Sequence, residues 1–380
     1  MTKGFYMNDI DLKQASEPSV IDDQASFIFD AKRLNIEKLQ AAIDYLKTNF
    51  PSYRSISVYQ NETMVFENVN KKPYESIFSK VIRKSMSVLA FHSPNGTFIE
   101  EKSEKWNIRS ATKSIISILI GIAIKEGFIS SIEDNLGLFF CDHPSISSDD
   151  DKKSISIKHL LTMKSGLSSV DKGMEPIKLI KSKDWVDHIL KRPLQSSPGT
   201  NFEYNSANTH ILSAIITKTT GMNAAKFAKK YLFDPLGINQ FIWDNDTKGN
   251  SFGGGNLFLK PYDMAKIGFL IIHNGNWKGK EIVPQNWISE SLERSYYWDY
   301  GFHYGYLWYI KDETDEATGN KYVTYSAAGA GGQKLLIFPE LNIVLVAYSH
   351  VDFIKDKSYF LNLMIPEFIL PACLNVNVDI

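Results

Sequence analysis

Cysteine is scarce in this sequence of 380 residues: Cys141 and Cys373 are the only two. They stand far apart and show neither a CxxC nor a metal-ligand spacing, so a disulfide framework is not expected. Long apolar runs are missing too. The most apolar stretch, Ile115–Ile124, falls well short of the roughly 20 residues that span a bilayer. The start, MTKGFYMNDIDLKQ, lacks the apolar core of a signal peptide. Neither sign of charge dominates: 42 basic residues face 43 acidic ones, leaving −1. That balance gives no electrostatic reason to expect nucleic acid or an anionic membrane as partner. The eight histidines form no HExxH or other close ligand pair, so neither metal nor cofactor is expected. These absences together predict a soluble, cytoplasmic protein with a small-molecule partner. None of them bears on oligomeric state.

What is present suffices for a large core. Hydrophobic residues make up 43% and aromatics 13%, which excludes a disordered chain. Length alone predicts two or three domain-sized units. Residues 1–30 are polar and irregular and read as an arm. Ile36, Leu39, Ile43 and Leu46 recur at helical spacing and predict an amphipathic helix ending near Phe50-Pro51. Ser55–Tyr59 and Thr63–Phe66 flank Gln60-Asn61-Glu62 as a β-hairpin. Val88–Phe91 and Thr97–Ile99 around Ser93–Gly96 predict a second. Ser110 to Glu126 reads as a long helix, apolar nearly all round and therefore buried, with Gly127 as its stop. From 130 to 275 the pattern is mostly helical with Pro and Gly breaks. The runs Tyr304–Ile310, Tyr322–Ser326, Lys334–Phe338 and Ile343–Ser349 then read as strands. Strands at both ends predict one sheet completed by both termini, over 31–129 and 276–380, with 130–275 as a helical domain.

Four segments carry candidate chemistry. Ser110-Ala111-Thr112-Lys113 places a serine at a helix start, among unpaired N–H groups, with a lysine one turn along the same face. A lysine held in a desolvated site can accept the serine proton. The spacing alone does not decide, because serine is a common helix cap and Ser169–Lys172 matches too. Context separates the two: Ser110 opens a buried helix, whereas Ser169 sits in a polar loop. In Phe202–Asn208, Tyr204 could shuttle a proton to a leaving group, although a packed aromatic is the ordinary use of tyrosine. Ala327–Gln333 runs into a strand, and its small residues let a substrate approach the backbone. A backbone N–H there could complete an oxyanion hole. No Gly-Lys-Ser/Thr follows, which disfavours a phosphate loop. Gly253–Leu257 is a flexible turn suited to a pocket wall.

Taken together, these segments resemble the serine β-lactamase-like and penicillin-binding-protein superfamily. The likeness is strongest to class C β-lactamase-like esterases and 6-aminohexanoate-dimer hydrolases. Ser110–Ser114 resembles the family's Ser-x-x-Lys motif, and His159–Leu167 its Ser-Gly-Leu segment. Tyr204-Asn205-Ser206 is similar to its Tyr-x-Asn/Ser element. Gly254–Gly268 and Gly329–Val346 are similar to two further motifs. The five occur in the family's order across Asn107–Ser349, and their order is the specific signal. The resemblance implies an α+β fold: an antiparallel sheet flanked by helices, with an inserted all-helical domain and the site between them. It implies Ser110 as nucleophile, Lys113 and Tyr204 as proton carriers, and the N–H groups of Ser110 and Ala330 as oxyanion hole. Ser206, Asn256, Gly329 and Gly331 would bind substrate.

Two departures bear on substrate. Ala327-Ala328-Gly329 stands where lactam-processing relatives carry Lys-Thr-Gly or His-x-Gly, so the cation that meets a substrate carboxylate is expected to be missing. Ser206 replaces the usual Asn. Both favour a neutral ester or amide, cleaved through a Ser110 acyl-enzyme. An acyltransferase that passes the acyl group to an alcohol or amine is the alternative. A non-catalytic binding protein on the same fold is the third.

Overall fold

The computed structural model describes residues 19–20, 26–27, 35–70, 101–102, 105–298, 301–315, 318–350 and 365–374. The hairpin expected over Val88–Ile99 lies outside the described residues. So does the expected arm, apart from the paired segments Ser19–Val20 and Ser26–Phe27.

The first helix, α1 (Ile36–Asn49), is capped by Asn35, whose Oδ1 accepts the Lys38 N–H at 3.0 Å. An Asn at that position satisfies an otherwise orphan donor. Leu39, Ala42, Ile43 and Leu46 form its buried stripe. The first hairpin follows as β1 (Tyr53–Gln60) and β2 (Thr63–Val69). Asn61 and Glu62 both take positive φ, 51° and 62°, which suits the twist of a two-residue turn. Next come β3 (Lys105–Asn107), α2 (Thr112–Lys125) and α3 (Ser206–Thr220). Then follow β4 (Ile242–Trp243), β5 (Leu257–Leu259) and α4 (Pro261–Ile272). The chain returns to strand as β6 (Tyr296–Tyr297), β7 (His303–Tyr304), β8 (Tyr309–Thr314), β9 (Lys321–Gly329), β10 (Gln333–Phe338) and β11 (Ile343–Ser349).

Eight strands make one antiparallel sheet in the order β6-β7-β8-β9-β10-β11-β1-β2. The C-terminal strand β11 pairs with the N-terminal β1, Ile343 opposite Gln60 and Ala347 opposite Ile56, so both ends of the chain complete the sheet. All seven residues of β11 are buried. Alternation of side chains divides them between two cores. Val344, Val346 and Tyr348 face the core that holds α2, whereas Ile343, Leu345 and Ala347 face the one that holds α1. Such two-sided burial reads as an unbroken apolar run. The fold class is therefore the expected one: an antiparallel sheet covered by helices, with a mainly helical stretch inserted in mid-chain.

Two elements differ from expectation. The strand expected over Tyr304–Ile310 is interrupted: Gly305 donates to the Trp308 carbonyl at 2.9 Å, Tyr306 donates to the Ser291 carbonyl at 2.9 Å, and Leu307 takes φ +65°. A turn made of apolar residues leaves no mark in hydrophobic periodicity. Within 130–275, β5 pairs with both β3 and β4 in a small sheet, and α4 lies against β10 and β11. The small sheet ties the nucleophile segment to the Gly-rich turn.

Candidate active site

The segment that carries Ser110 leaves β3, makes a 3-10 turn over Arg109–Ala111 and enters α2. Arg109 holds φ +52°, a left-handed conformation uncommon outside glycine. Its N–H donates to Asn107 Oδ1 at 2.9 Å, and Asn107 Nδ2 donates to Asn256 Oδ1 at 3.1 Å. Asn107 thus shapes the bend from strand to helix and anchors it to the Gly-rich turn. One turn on, Lys113 is 1% exposed. Its Nζ lies 3.2 Å from Ser110 Oγ and donates to the Gly254 carbonyl at 2.9 Å. Residue 254 must stay small. A Cβ there would lie 2.8 Å from the Phe252 ring and 2.9 Å from Ser206 Cβ.

Tyr204 stands just ahead of α3. Asn205 caps that helix: its Oδ1 accepts N–H groups of Ala207 at 3.0 Å and Val170 at 3.2 Å, and its Nδ2 donates to the Leu167 carbonyl at 2.9 Å. The Ser206 N–H donates to Asp171 Oδ2 at 2.7 Å. These bonds set Tyr204 over the nucleophile's helix, with Lys113 Nζ 4.9 Å from its ring centre. Tyr304 and Tyr309 pack beside it. Burial first, and then the neighbouring tyrosines, push both hydroxyls well above the usual tyrosine range.

The third wall is the end of β9. A Cβ on Gly329 would lie 2.3 Å from the Ile108 carbonyl oxygen and 2.7 Å from Arg109 Cβ, so only glycine lets the strand pass beneath the nucleophile turn. Ser349 Oγ donates to the Gly331 carbonyl, and Gln333 Nε2 donates to the Ser349 carbonyl at 2.7 Å. Together they pin the Ala330–Gly332 turn.

A cavity of about 220 Å³ opens beside Ser110. Val170, Leu179, Ile180, Trp185 and Phe252 give it an apolar side. Ser206, Asn256, Ala330, Arg109 and Asp171 supply its polar groups. Asn256 is buried, and its Nδ2 has no hydrogen-bond partner among the described residues. Of the expected site residues, Ser110, Ser206, Asn256 and Ala330 line this cavity, while Lys113, against Ser110, and Tyr204, against Lys113, stand outside its lining. Gly329 and Gly331 stand outside the cavity lining and support its walls. The second Ser-x-x-Lys match comes apart, because Lys172 reaches Glu203 at 2.5 Å and is largely exposed.

Sequence reasoning missed two parts of the site, Asn107 and the Gly254 carbonyl. The strand itself carries no cation at Ala327-Ala328-Gly329. Arg109 lines the cavity beside Gly329, supplied by the nucleophile turn instead of the strand.

Known proteins are similar to this chain in sequence and in fold. The chain is 28% identical to the 6-aminohexanoate-dimer hydrolase of Paenarthrobacter ureafaciens over 161 residues. That match spans 41% of this chain and 41% of that enzyme, well under two thirds of the relative's length. Its fold is similar to the penicillin binding protein of Bacillus halodurans, with TM-score 0.61 and 15% identity, covering 85% of this chain and 98% of that one. It is likewise similar to EstCE1, described as a hydrolase with promiscuous acyltransferase activity, with TM-score 0.65 and 14% identity, covering 88% and 98%. The family model described as Beta-lactamase matches residues 101–358, well over half of the sequence. The chain belongs to the beta-lactamase family.

Proposed function

We propose that this protein is a serine hydrolase that cleaves a small ester or amide through a Ser110 acyl-enzyme. The observation that carries the reading is the setting of Lys113. Its buried Nζ meets the Ser110 hydroxyl and the Gly254 carbonyl, and among the described residues no carboxylate pairs with it. A buried lysine with a serine hydroxyl for a neighbour is placed to take a proton.

Lys113 Nζ accepts the Ser110 proton as Oγ bonds to the substrate's carbonyl carbon. The carbonyl oxygen becomes an oxyanion facing the N–H groups of Ser110 and Ala330. One such donor typically contributes about 3 kcal/mol. The bond to the leaving oxygen or nitrogen then breaks, and Tyr204 relays the proton held by Lys113 to that atom, so that both side chains return to their starting states. Water adds to the acyl-enzyme, the Ser110 ester bond breaks, and the hydroxyl recovers its proton. The cavity takes the acyl group. Its volume lies below the roughly 300 Å³ at which drug-sized sites begin, so the acyl group is short. Asn256 Nδ2 offers it a hydrogen bond. Similarity to a 6-aminohexanoate-dimer hydrolase puts linear amides beside esters among the substrates to try.

The test is hydrolysis of p-nitrophenyl acetate by wild type and Ser110→Ala. Loss of the nucleophile costs several orders of magnitude in related sites. A folded variant that keeps more than a few per cent of activity would falsify the assignment. Acyl transfer is the second reading, favoured by likeness to EstCE1. It requires that total product formation depend on an added alcohol or amine.

A further inference from the structure

Three consecutive large side chains lie open to solvent at the first edge of the sheet: Tyr296, Tyr297 and Trp298, at 37%, 58% and 36% exposure. The other exposed large hydrophobics among the described residues, Val69, Leu138 and Met174, are scattered singly. Scattered apolar residues need no explanation, whereas a contiguous patch marks a binding surface. This one is built. Tyr296 stacks on Phe202 at 4.1 Å with the rings 2° from parallel. Trp298 meets Phe202, Tyr204 and Tyr309 edge-on or tilted at 5.2–5.6 Å. Its N–H donates to the Phe302 carbonyl at 2.8 Å, which fixes the backbone from which the indole projects.

The ridge reaches the chemistry through one ring. Trp298 touches Tyr204, and Tyr204 lies 4.9 Å from Lys113 Nζ. Neither Tyr204 nor Trp298 belongs to the described lining of the cavity. The ridge therefore reaches Lys113 through Tyr204, outside the lining of the cavity.

We infer that Trp298 and Tyr296 form a platform for an aromatic leaving group, an aryl or arylalkyl alcohol or amine. The inference rests on the acyl-enzyme reading and deepens it. A leaving atom protonated from Tyr204 departs on Tyr204's side, so its substituent extends over that ring toward Trp298. The acyl part stays in the cavity. Aromatic pairs contribute about 0.5–1.5 kcal/mol beyond area burial, so the platform gives a two- to tenfold preference at 1.4 kcal/mol per decade.

The experiment compares 2-phenylethyl acetate with butyl acetate, which share an acyl group and have leaving alcohols of similar acidity. The ratio of their kcat/KM values is measured in wild type, Trp298→Ala and Trp298→Phe. Binding of 2-phenylethanol to Ser110→Ala, with and without Trp298→Ala, is measured by saturation-transfer NMR. The expected result is a ratio that falls two- to tenfold in Trp298→Ala, largely recovers in Trp298→Phe, and is matched by weaker binding of the alcohol. An unchanged ratio with unchanged binding overturns the platform. So does an equal fall for both esters, which would make Trp298 only a support for Tyr204. A dimer that Trp298→Ala dissolves without altering the ratio gives the ridge to a second copy of the chain and overturns it too. If wild type turns over neither ester but hydrolyses p-nitrophenyl acetate, the acyl-enzyme reading stands and the binding measurement decides the platform; inactivity on all three esters counts against that reading instead.

Discussion

At the scale of single residues, the account turns on one buried lysine. Arginine keeps the positive charge but cannot be deprotonated in a protein. Lys113→Arg is therefore expected to lose nearly as much ester hydrolysis as Lys113→Ala, by orders of magnitude in kcat. Near-normal kcat in Lys113→Arg would make the residue an electrostatic or structural group and leave Tyr204 as base. Ser110 and Lys113 were legible because their context, a helix start leading into a buried apolar run, differs from that of Ser169 and Lys172. The Gly254 carbonyl was not legible. It is a backbone oxygen 141 residues away, and no side-chain pattern encodes it. The placing of Arg109 was not legible for a related reason: the turn that brings it to the cavity has a φ of +52° that its residue type does not advertise.

At the scale of elements, the site depends on how closely β9 passes under the turn Arg109–Ala111. Gly329→Val puts a branched side chain where even a Cβ meets the Ile108 carbonyl at 2.3 Å. Overpacking of this kind typically costs about 1–3 kcal/mol. The strand and the nucleophile turn must then separate. The variant is expected to unfold at lower urea concentration and to lose ester hydrolysis more steeply than stability. Wild-type kcat/KM in a folded Gly329→Val would show that the close approach does not position Ser110. Periodicity found the strands that lie in the middle of the sheet, where burial on both faces writes a continuous apolar run. It failed where tertiary contacts set the element. The break at Gly305–Trp308 satisfies its backbone through Ser291. Likewise β5 is a strand because it pairs with β3, about 150 residues earlier in the chain.

At the scale of the whole molecule, one buried network holds the cavity wall to its surroundings. Asp246 accepts the N–H groups of Lys248 and Asn250 at 2.8 and 2.9 Å and faces His210 Nε2 at 3.1 Å. The His210 ring in turn packs on Trp185 and Phe252, which line the cavity. Burial works to raise the Asp246 carboxyl, but the bond and charge of His210, with Asn250, outweigh it and hold the carboxyl below the usual carboxylate range. A depressed folded value means that the ionised group stabilises the fold fully above its unfolded value near 4. That stabilisation is lost as pH falls through the folded value. Asp246→Ala is expected to cost about 3–5 kcal/mol near pH 7, the usual effect of breaking a buried pair. The gap from wild type should narrow as pH drops below about 4. Urea denaturation of both proteins at the two pH values checks this, and a gap independent of pH would show that the carboxylate's charge contributes nothing.

The central claim is that Ser110 carries the acyl group between two half-reactions. Intact-mass measurement after brief mixing with p-nitrophenyl esters of graded acyl length tests it directly. The expected result is a mass increase equal to one acyl group, mapped by proteolysis to the peptide that contains Ser110, decaying as free acid appears and absent from Ser110→Ala. Hydrolysis that proceeds with no acylated species under any quenched condition, or an adduct that persists in Ser110→Ala, would contradict it.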